Sequence, residues 1–203
     1  MTGYRFFFAI FLLTASGIAH GNLIVNGGFE SPDINSGWTY GPDTPGGWEG
    51  DNIEVWASGF NGVVSYEGTQ HGELNAHPYD RTDWSIYQSF DTTLDELYSI
   101  SFAYRARRNE SEVFQFSLGD GTYNPFNEII DNHVTGQWDY FSGIFSGTGN
   151  EMTLRFTSLT PETGTVGNFL DAVKVVSVPE PGVIALFGAG LIGLGFVRRR
   201  SRK

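Results

Sequence analysis

In the middle of this chain, hydrophobic residues recur at every second position in short runs, and this periodicity restricts the fold more than any other feature. Within residues 97–108, one set of alternate positions is apolar: Tyr98, Ile100, Phe102 and Tyr104. The other set is small or polar and ends in Arg105 and Arg107. A period of two with one apolar face is typical of a half-buried antiparallel β-strand.

The same alternation recurs along the chain, in segments separated by Gly, Asn, Asp and Pro. It is clear in residues 113–118 and 151–157. Further strands are predicted at residues 22–26, 53–60, 73–77, 84–92, 138–145 and 170–177. Helical periodicity is absent from residues 22–178 apart from a turn at 94–97. Eight or nine strands in one domain predict an all-β fold, a single β-sandwich of the jelly-roll kind.

The first 21 residues have the layout of a secretory signal peptide. Arg5 precedes an apolar run at residues 6–13, and small residues follow it. Cleavage after Ala19 and cleavage after Gly21 fit equally well. The alternative, a buried first helix, is less favoured because polar, glycine-rich sequence follows the apolar run. The chain is therefore expected to be exported.

Residues 179–203 contain a short apolar run at 183–197 and end in the basic cluster RRRSRK. A helix over 183–197 would be roughly 22 Å long, which is shorter than the ~30 Å hydrocarbon core of a bilayer. Arginine snorkelling and bilayer thinning allow such a segment to act as a transmembrane helix. The basic cluster is expected on the cytoplasmic side, which places residues 22–178 outside the membrane.

The segment VPEP, the glycine-rich apolar run and the terminal arginine cluster occur here in that order. Together they resemble the PEP-CTERM sorting signal of Gram-negative bacteria. The resemblance implies that an exosortase, a membrane protease and transpeptidase, processes the chain at Pro179, Glu180 and Pro181. It also implies a cell-envelope or extracellular location after transient anchoring in the inner membrane.

Charge and cysteine content exclude several classes of function. Residues 22–178 carry 22 of the 23 acidic side chains but only six of the 12 basic ones, a formal charge of −16. Such a surface repels phosphate groups, so nucleic-acid binding is not expected. The chain has no cysteine, which rules out disulfides, thiolate nucleophiles and cysteine-ligated zinc.

A second resemblance covers most of residues 22–178. It is carried by the ordered segments NLIVNGGFESP, GGW, IEVW, GTQHGELN, SIYQSF, YSISFAYRARR and FLDAVKVV. These resemble a secreted family of galactose-binding-like domains, first described as a domain of unknown function in plant cell walls. They are also similar to carbohydrate-binding modules that open with N-G-x-F-E and close with L-D-x-V. The plant members carry cysteines that this chain lacks.

The resemblance also implies a structural calcium ion between the first and last strands, which lie close together in such modules. Glu30 and Asp171 match the positions that supply its ligands, and Asn26 and the Asp51–Asn52 turn can complete the shell. Calcium prefers hard oxygen ligands of this kind. The alternative is that Glu30 and Asp171 only cap turns.

Sugar binding requires flat aromatic faces beside planar polar side chains. The residues predicted to supply them lie on neighbouring strands: Trp84, Tyr87, Asn75, His77, Gln88, Arg105 and Arg107. This prediction places strand 84–92 beside strand 97–108, with both arginines on an open sheet surface. The alternative location is the loop at 38–48, which carries Trp38 and Tyr40. Trp48, Trp56 and Trp138 are expected in the core.

Catalytic signatures are missing from the sequence: it has no G-x-S-x-G, no H-E-x-x-H and no phosphate-binding loop. The favoured function is an exported, non-catalytic protein that binds polysaccharide in the extracellular matrix. The first alternative is a structural or adhesive envelope protein that binds other proteins. The second is a glycoside hydrolase.

Overall fold

Eleven β-strands form two antiparallel sheets in the part of the chain that the computed structural model describes, residues 21–41, 46–50, 53–76, 84–161 and 165–179. Strands are numbered in chain order. The six-stranded sheet contains, in spatial order, β1 (Trp38–Gly41), β3 (Ile53–Ala57), β4 (Gln70–Glu73), β11 (Asn168–Ser177), β6 (Leu97–Ala106) and β9 (Asp139–Ser146). The five-stranded sheet contains β2 (Glu49–Gly50), β5 (Ser85–Asp91), β10 (Glu151–Thr160), β7 (Val113–Gly119) and β8 (Phe126–Ile130).

The two sheets enclose one main hydrophobic core, so the predicted all-β sandwich is confirmed. Strand β6 supplies the alternate residues that the sequence pattern marked as apolar, and each is at most 4% exposed: Tyr98, Ile100, Phe102 and Tyr104. Strands β7 and β10 contribute their own alternate residues: Phe114, Phe116, Leu118, Met152, Leu154 and Phe156. Ring contacts between the sheets, such as Phe102 with Phe156 at 5.0 Å, join the two layers.

The segment 22–26 is not a strand, contrary to its predicted role. It lies along β11 through single hydrogen bonds, in which Leu23 N donates to Val175 O at 2.8 Å and Val173 N donates to Gly27 O at 2.9 Å. The side chain of Asn22 bonds to β11 as well. The chain turns at Asn26, whose φ of 53° interrupts the extended backbone that a longer strand requires.

Strands β1, β2 and β8 were not predicted, and one predicted pairing is wrong. The first two are four and two residues long, too short to show alternation. Strand β5 belongs to the five-stranded sheet and β6 to the six-stranded sheet, so they are not neighbours. Periodicity shows which residues of a strand are buried, but it carries no information on which sheet the strand joins.

The segment between β3 and β4, residues 58–69, lies over the outer face of the six-stranded sheet and is called the strap here. It covers a second, smaller hydrophobic cluster of Trp56, Val63 and Phe169, with Phe60 and Trp138 packed against it. Trp138 Nε1 donates a hydrogen bond to Val64 O at 2.7 Å. This face of the sheet is therefore partly closed.

Residues His20–Val178 form one compact unit that contains all eleven strands and both hydrophobic clusters. It can therefore be produced as a separate protein for experiments. In the described ranges, no helix is sufficiently long and apolar to cross a bilayer. The predicted signal peptide and the predicted helix at 183–197 lie outside the described residues.

Candidate functional site

Exposed aromatic side chains concentrate on the outer face of the six-stranded sheet. Of the five that the described residues include, four lie there, each 40–47% exposed: Trp38, Tyr40, Tyr66 and Tyr140. Trp38 and Tyr40 belong to β1, directly opposite Trp56 and Glu54 of β3, so they share the face that bears the second cluster. Tyr140 of β9 lies opposite Ala103 of β6.

These four side chains form two stacked pairs at opposite edges of the sheet. The ring centroids of Trp38 and Tyr40 are 5.7 Å apart, with 26° between the ring planes. Those of Tyr66 and Tyr140 are 5.9 Å apart, with 18° between the planes. Tyr66 belongs to the strap, and Tyr140 belongs to β9. The rings of each pair are close to parallel, and all four side chains remain partly exposed to solvent.

A small cleft of about 110 Å³ adjoins the first pair. It is lined by Trp38, Glu54, Trp56, Phe60, Asn61, Arg107 and Thr165. Trp38 is its exposed aromatic wall, while Glu54, Asn61 and Arg107 provide a carboxylate, an amide and a guanidinium group. An aromatic face beside polar groups of this kind suits a ligand that has both C–H surface and hydroxyls.

Arg107 lies on the predicted face but not on an open surface, which corrects that part of the prediction. Its Nη1 donates to both carboxylate oxygens of Glu73, at 2.8 and 2.9 Å, and to Thr165 O at 2.9 Å. Its guanidinium carbon lies 4.4 Å from the centre of a Trp56 ring. The side chain is 19% exposed and that of Glu73 is fully buried. Arg107 is thus mainly a structural partner of Glu73, and part of its side chain lines the cleft.

Two carboxylates meet beneath the cleft. Glu54 and Glu73 lie directly opposite each other on β3 and β4. Burial raises the pKa of Glu73 well above its ordinary value, while Arg107 lowers this pKa and Glu54 raises it. Glu54 lines the cleft and accepts a hydrogen bond from Trp56 Nε1 at 3.0 Å.

Three residues predicted to bind ligand are buried instead, and this corrects their assignment. Trp84 has no exposed surface. Gln88 is 5% exposed, and its amide bonds in both directions to the backbone of Val25. Asn75 accepts from Ser158 Oγ at 2.9 Å and donates to Pro161 O at 3.2 Å. The fourth, His77, lies outside the described residues.

Arg105 shares the outer face with Arg107 and is half-buried. Burial lowers the pKa of its guanidinium group. Within the described residues, its Nε is buried without a hydrogen-bond partner. Burial, together with the charge of Arg105, also lowers the pKa of the neighbouring His71 to about 3. Arg105 and His71 therefore lie close together beneath the strap.

Tyr87 lies on the outer face of the other sheet, so it and Arg107 cannot form one site. Its ring centre is 4.2 Å from the guanidinium carbon of Arg155, and its hydroxyl donates to Glu49 Oε2 at 3.3 Å. Trp48 is core, as predicted. Tyr66 and Tyr140 were missed because Tyr66 lies in a segment without periodicity and Tyr140 shows no distinctive motif.

The side chains predicted to bind calcium make hydrogen bonds with the backbone. Glu30 Cγ and Asp171 Oδ1 lie 3.7 and 4.0 Å from the position that a Cβ on Gly28 would take. Glu30 accepts hydrogen bonds from Thr69 N and Thr69 Oγ1, at 2.8 and 2.6 Å. The amide of Asn26 bonds to the backbone of Ser31. No group of three or more acidic or histidine side chains suited to a metal occurs in the described ranges.

Asp171 nevertheless has an environment that a cation would stabilise. It is buried, and its oxygens accept hydrogen bonds from the backbone amides of Tyr66, Glu67 and Ala172 at 2.7–3.0 Å. Despite these donors, burial raises its pKa to about 7. Both carboxylates are therefore engaged in hydrogen bonds with backbone amides.

Comparison with known sequences gives two matches. Residues 177–201 match the PEP-CTERM protein-sorting motif. The chain is 27% identical over 175 residues to halomucin of Haloquadratum walsbyi, a match that covers 79% of this chain and 2% of halomucin. The chain therefore spans only a small fraction of that relative's length.

Comparison with solved structures identifies several β-sandwich domains. An arabinofuranosidase, MgGH51, has a TM-score of 0.50 at 11% identity over 80% of this chain and 27% of its own. TmCBM61, solved with β-1,4-galactotriose, has a TM-score of 0.44 at 13% identity. The match covers 79% of this chain and 99% of TmCBM61. The CBM22-1 xylan-binding domain of Paenibacillus barcinonensis Xyn10C has a TM-score of 0.42 at 15% identity. The match covers 81% of this chain and 95% of that domain.

These likenesses concern the fold. Most of the similar structures are carbohydrate-binding modules, while MgGH51 is an enzyme. The chain combines an all-β sandwich, a fold that it shares with MgGH51, with a match to the PEP-CTERM protein-sorting motif at residues 177–201.

Proposed function

We propose that this protein is an exported, non-catalytic polysaccharide-binding protein of the cell envelope or extracellular matrix, and that sugars bind to the outer face of its six-stranded sheet. One observation carries this proposal. Four of the five exposed aromatic side chains in the described ranges are stacked in two pairs on this face. Exposed apolar patches at such positions mark binding sites.

The chemistry of the first pair and its cleft suits a neutral sugar. The C–H face of a pyranose ring packs on Trp38, while Glu54 and Arg107 lie where hydroxyl groups would reach them. The formal charge of −16 over residues 22–178 disfavours polyanionic glycans.

Export and processing form the second part of the proposal. The PEP-CTERM motif supports an exosortase as the processing partner, with Pro179, Glu180 and Pro181 as the processing motif. Before processing, the apolar run at 183–197 anchors the chain transiently in the inner membrane. The mature protein then carries the sandwich outside the cell, where polysaccharide is available.

Burial of Glu73 supports a non-catalytic role. A glycosidase needs two carboxylates that both reach the scissile bond. Glu54 and Glu73 are adjacent, but Glu73 has no exposed surface and is bonded to Arg107. Release of reducing sugar by the purified protein would support the glycoside hydrolase alternative instead.

Gel retention by polysaccharides, including the host's own exopolysaccharide, tests the binding proposal with a protein of residues 22–178. At least one neutral polysaccharide should retain it. Trp38→Ala and Tyr140→Ala should each weaken retention several-fold, because each removes an exposed ring face. Leu94→Ala, which removes an exposed apolar side chain from the turn between β5 and β6, is the matched control. Absence of any retention, together with capture of envelope proteins, would favour the adhesive alternative.

We also propose that calcium binds between Glu30 and Asp171 as a structural ion. The raised pKa of the buried Asp171 supports this, because a bound cation favours its charged form. A ligand that binds only the folded state raises the melting temperature. Calcium should therefore raise the melting temperature of residues 22–178, and Glu30→Ala should abolish that response. An identical melting curve with calcium and with chelator would leave both carboxylates as turn residues.

A further inference from the structure

Five polar side chains form a continuous row across the whole outer face of the five-stranded sheet. Residues directly opposite each other join the strands one by one: Glu49 with Tyr87, Tyr87 with Arg155, Arg155 with Ser117, and Ser117 with Asn127. Four interstrand spacings of about 4.8 Å make the row roughly 19 Å long. We propose that this row is a second glycan site, which allows one domain to crosslink two polysaccharide chains.

A groove of about 430 Å³ lies along the row on one side of Arg155. Its volume falls within the range of about 300–1,000 Å³ that is usual for small-molecule sites. Glu151, Thr153 and Asp120 line it together with Arg155 and Ser117. Gly119 pairs with Thr153 and has no side chain, which lets the side chain of Asn124 pack against its backbone at the wall of the groove.

Arg155 connects this groove to an aromatic face. Its guanidinium group stacks over Tyr87 at 4.2 Å, and its Nη1 donates to Ser85 Oγ at 3.0 Å. Both contacts hold the guanidinium group over the tyrosine ring. Such a planar fork can donate to two adjacent oxygens at once.

Asp120 is an equally well positioned acceptor at the end of the groove. Its Oδ1 accepts from the backbone amides of Thr122 and Tyr123, at 2.9 and 2.7 Å, and its Oδ2 accepts from Asn150 Nδ2 at 3.2 Å. These hydrogen bonds hold its pKa below the ordinary value, so the carboxylate stays charged at neutral pH. A fixed carboxylate and a fixed guanidinium group along one groove match the accepting and donating capacity of sugar hydroxyls.

The ligand class follows from the charges. Three carboxylates, Glu49, Asp120 and Glu151, border the row, against the single cation of Arg155. An anionic chain would be repelled, whereas a neutral chain with vicinal hydroxyls can bond to both kinds of group. The second site therefore takes a neutral polysaccharide, as the first does under the proposed function, on which this inference rests.

Crosslinking follows from the position of the two sites. The sheets of a sandwich pack about 10 Å apart, with their outer faces pointing in opposite directions. Two separate chains can therefore bind at once, and a domain that holds two chains converts binding into network formation.

Two measurements test this inference on residues 22–178: titration with an oligosaccharide of the polysaccharide that retains the protein, and turbidity of mixtures with the long polymer. The wild-type protein should bind two oligosaccharides and make the polymer turbid. Trp38→Ala and Arg155→Ala should each reduce the stoichiometry from two to one and abolish turbidity, while polymer retention persists. Ile129→Ala, at an exposed position of β8, is the control that should change neither measurement.

Arg155→Ala removes a ring contact, so two milder variants accompany it. Arg155→Lys keeps the charge but lacks the planar fork, and Asn127→Ala removes an exposed amide that accepts one surface hydrogen bond, from Gln115 Nε2 at 3.0 Å. Both variants should weaken the second site at least several-fold with little change in the melting temperature. A wild-type stoichiometry of one, or normal turbidity with all three variants, would overturn the second site and leave the proposed function intact. Absence of any binding would overturn both.

Discussion

Arg107 illustrates how a residue's role depends on partners that are distant in sequence. Alternation along β6 correctly placed it opposite Tyr104, on the outer face, but its exposure is decided by Glu73, 34 residues away, and by the backbone of Thr165. Arg107→Ala would leave the buried carboxylate of Glu73 without its cation. Breaking a buried ion pair in this way typically costs about 3–5 kcal/mol. We expect a loss of that size in the free energy of unfolding, measured by urea denaturation.

Two variants make this measurement specific. Arg108→Ala alters the neighbouring, exposed arginine and should leave the free energy of unfolding within about 0.5 kcal/mol of wild type. Adding Glu73→Gln to Arg107→Ala should recover part of the loss, because the buried group is then neutral. If Arg107→Ala unfolds at the wild-type urea concentration, the ion pair does not stabilise the fold.

Asp171 gives the protein a pH dependence of stability. Burial raises its folded-state pKa from 3.8 to about 7, so the folded protein binds this proton more tightly than the unfolded chain does. Its stabilising contribution is complete below about pH 4 and is lost as the pH rises through 7. In the presence of chelator, Asp171→Asn should therefore be less sensitive to pH than wild type between pH 4 and 8. Parallel pH profiles for the two proteins would contradict this assignment.

At the scale of elements, the strap depends on a small number of contacts with the sheet. Trp138 Nε1 donates to Val64 O, and Asp171 accepts from the amides of Tyr66 and Glu67. Trp138→Phe keeps an aromatic ring but removes one hydrogen bond, typically worth about 1 kcal/mol. Hydrogen exchange of the amides at 63–69 should accelerate several-fold, while amides of β7 and β10 keep their protection. Uniform acceleration across both sheets would mean that the strap does not open independently.

The elements that the sequence predicted well are those with long alternation. Strands β6, β7 and β10 follow their predicted positions because seven to ten residues of period two leave one possible buried face. Strand β1 lies in a segment that the sequence predicts to be a loop, because Gly and Pro surround its four residues. The residues of the predicted sugar site lie on two different sheets for a related reason. Tyr87 and Arg107 each lie on an outer face, but the choice of sheet depends on long-range pairing that periodicity does not record.

At the scale of the whole molecule, the sandwich and the C-terminal motif occupy successive stretches of the chain. The sandwich carries the aromatic pairs and the polar row, whereas residues 177–201 match the PEP-CTERM protein-sorting motif. Strand β11 ends at Ser177, so this motif begins where the last strand ends. Val178 N still donates to Leu97 O at 2.7 Å, and the processing motif follows at once. Removal of the tail at this point would leave every strand of the sandwich intact.

We therefore expect the mature protein in its native host to lack the residues from about Pro179 onward. Intact-mass measurement of the surface or secreted form should show a chain that begins near residue 20 or 22 and ends near 179. Replacing Glu180 with Ala should leave the unprocessed chain in the membrane fraction, because the motif is altered but the apolar run is not. The matched control is Glu162→Ala, an acidic residue outside the motif, which should be processed normally. An extracellular form that retains the basic cluster RRRSRK would show that the tail is not removed.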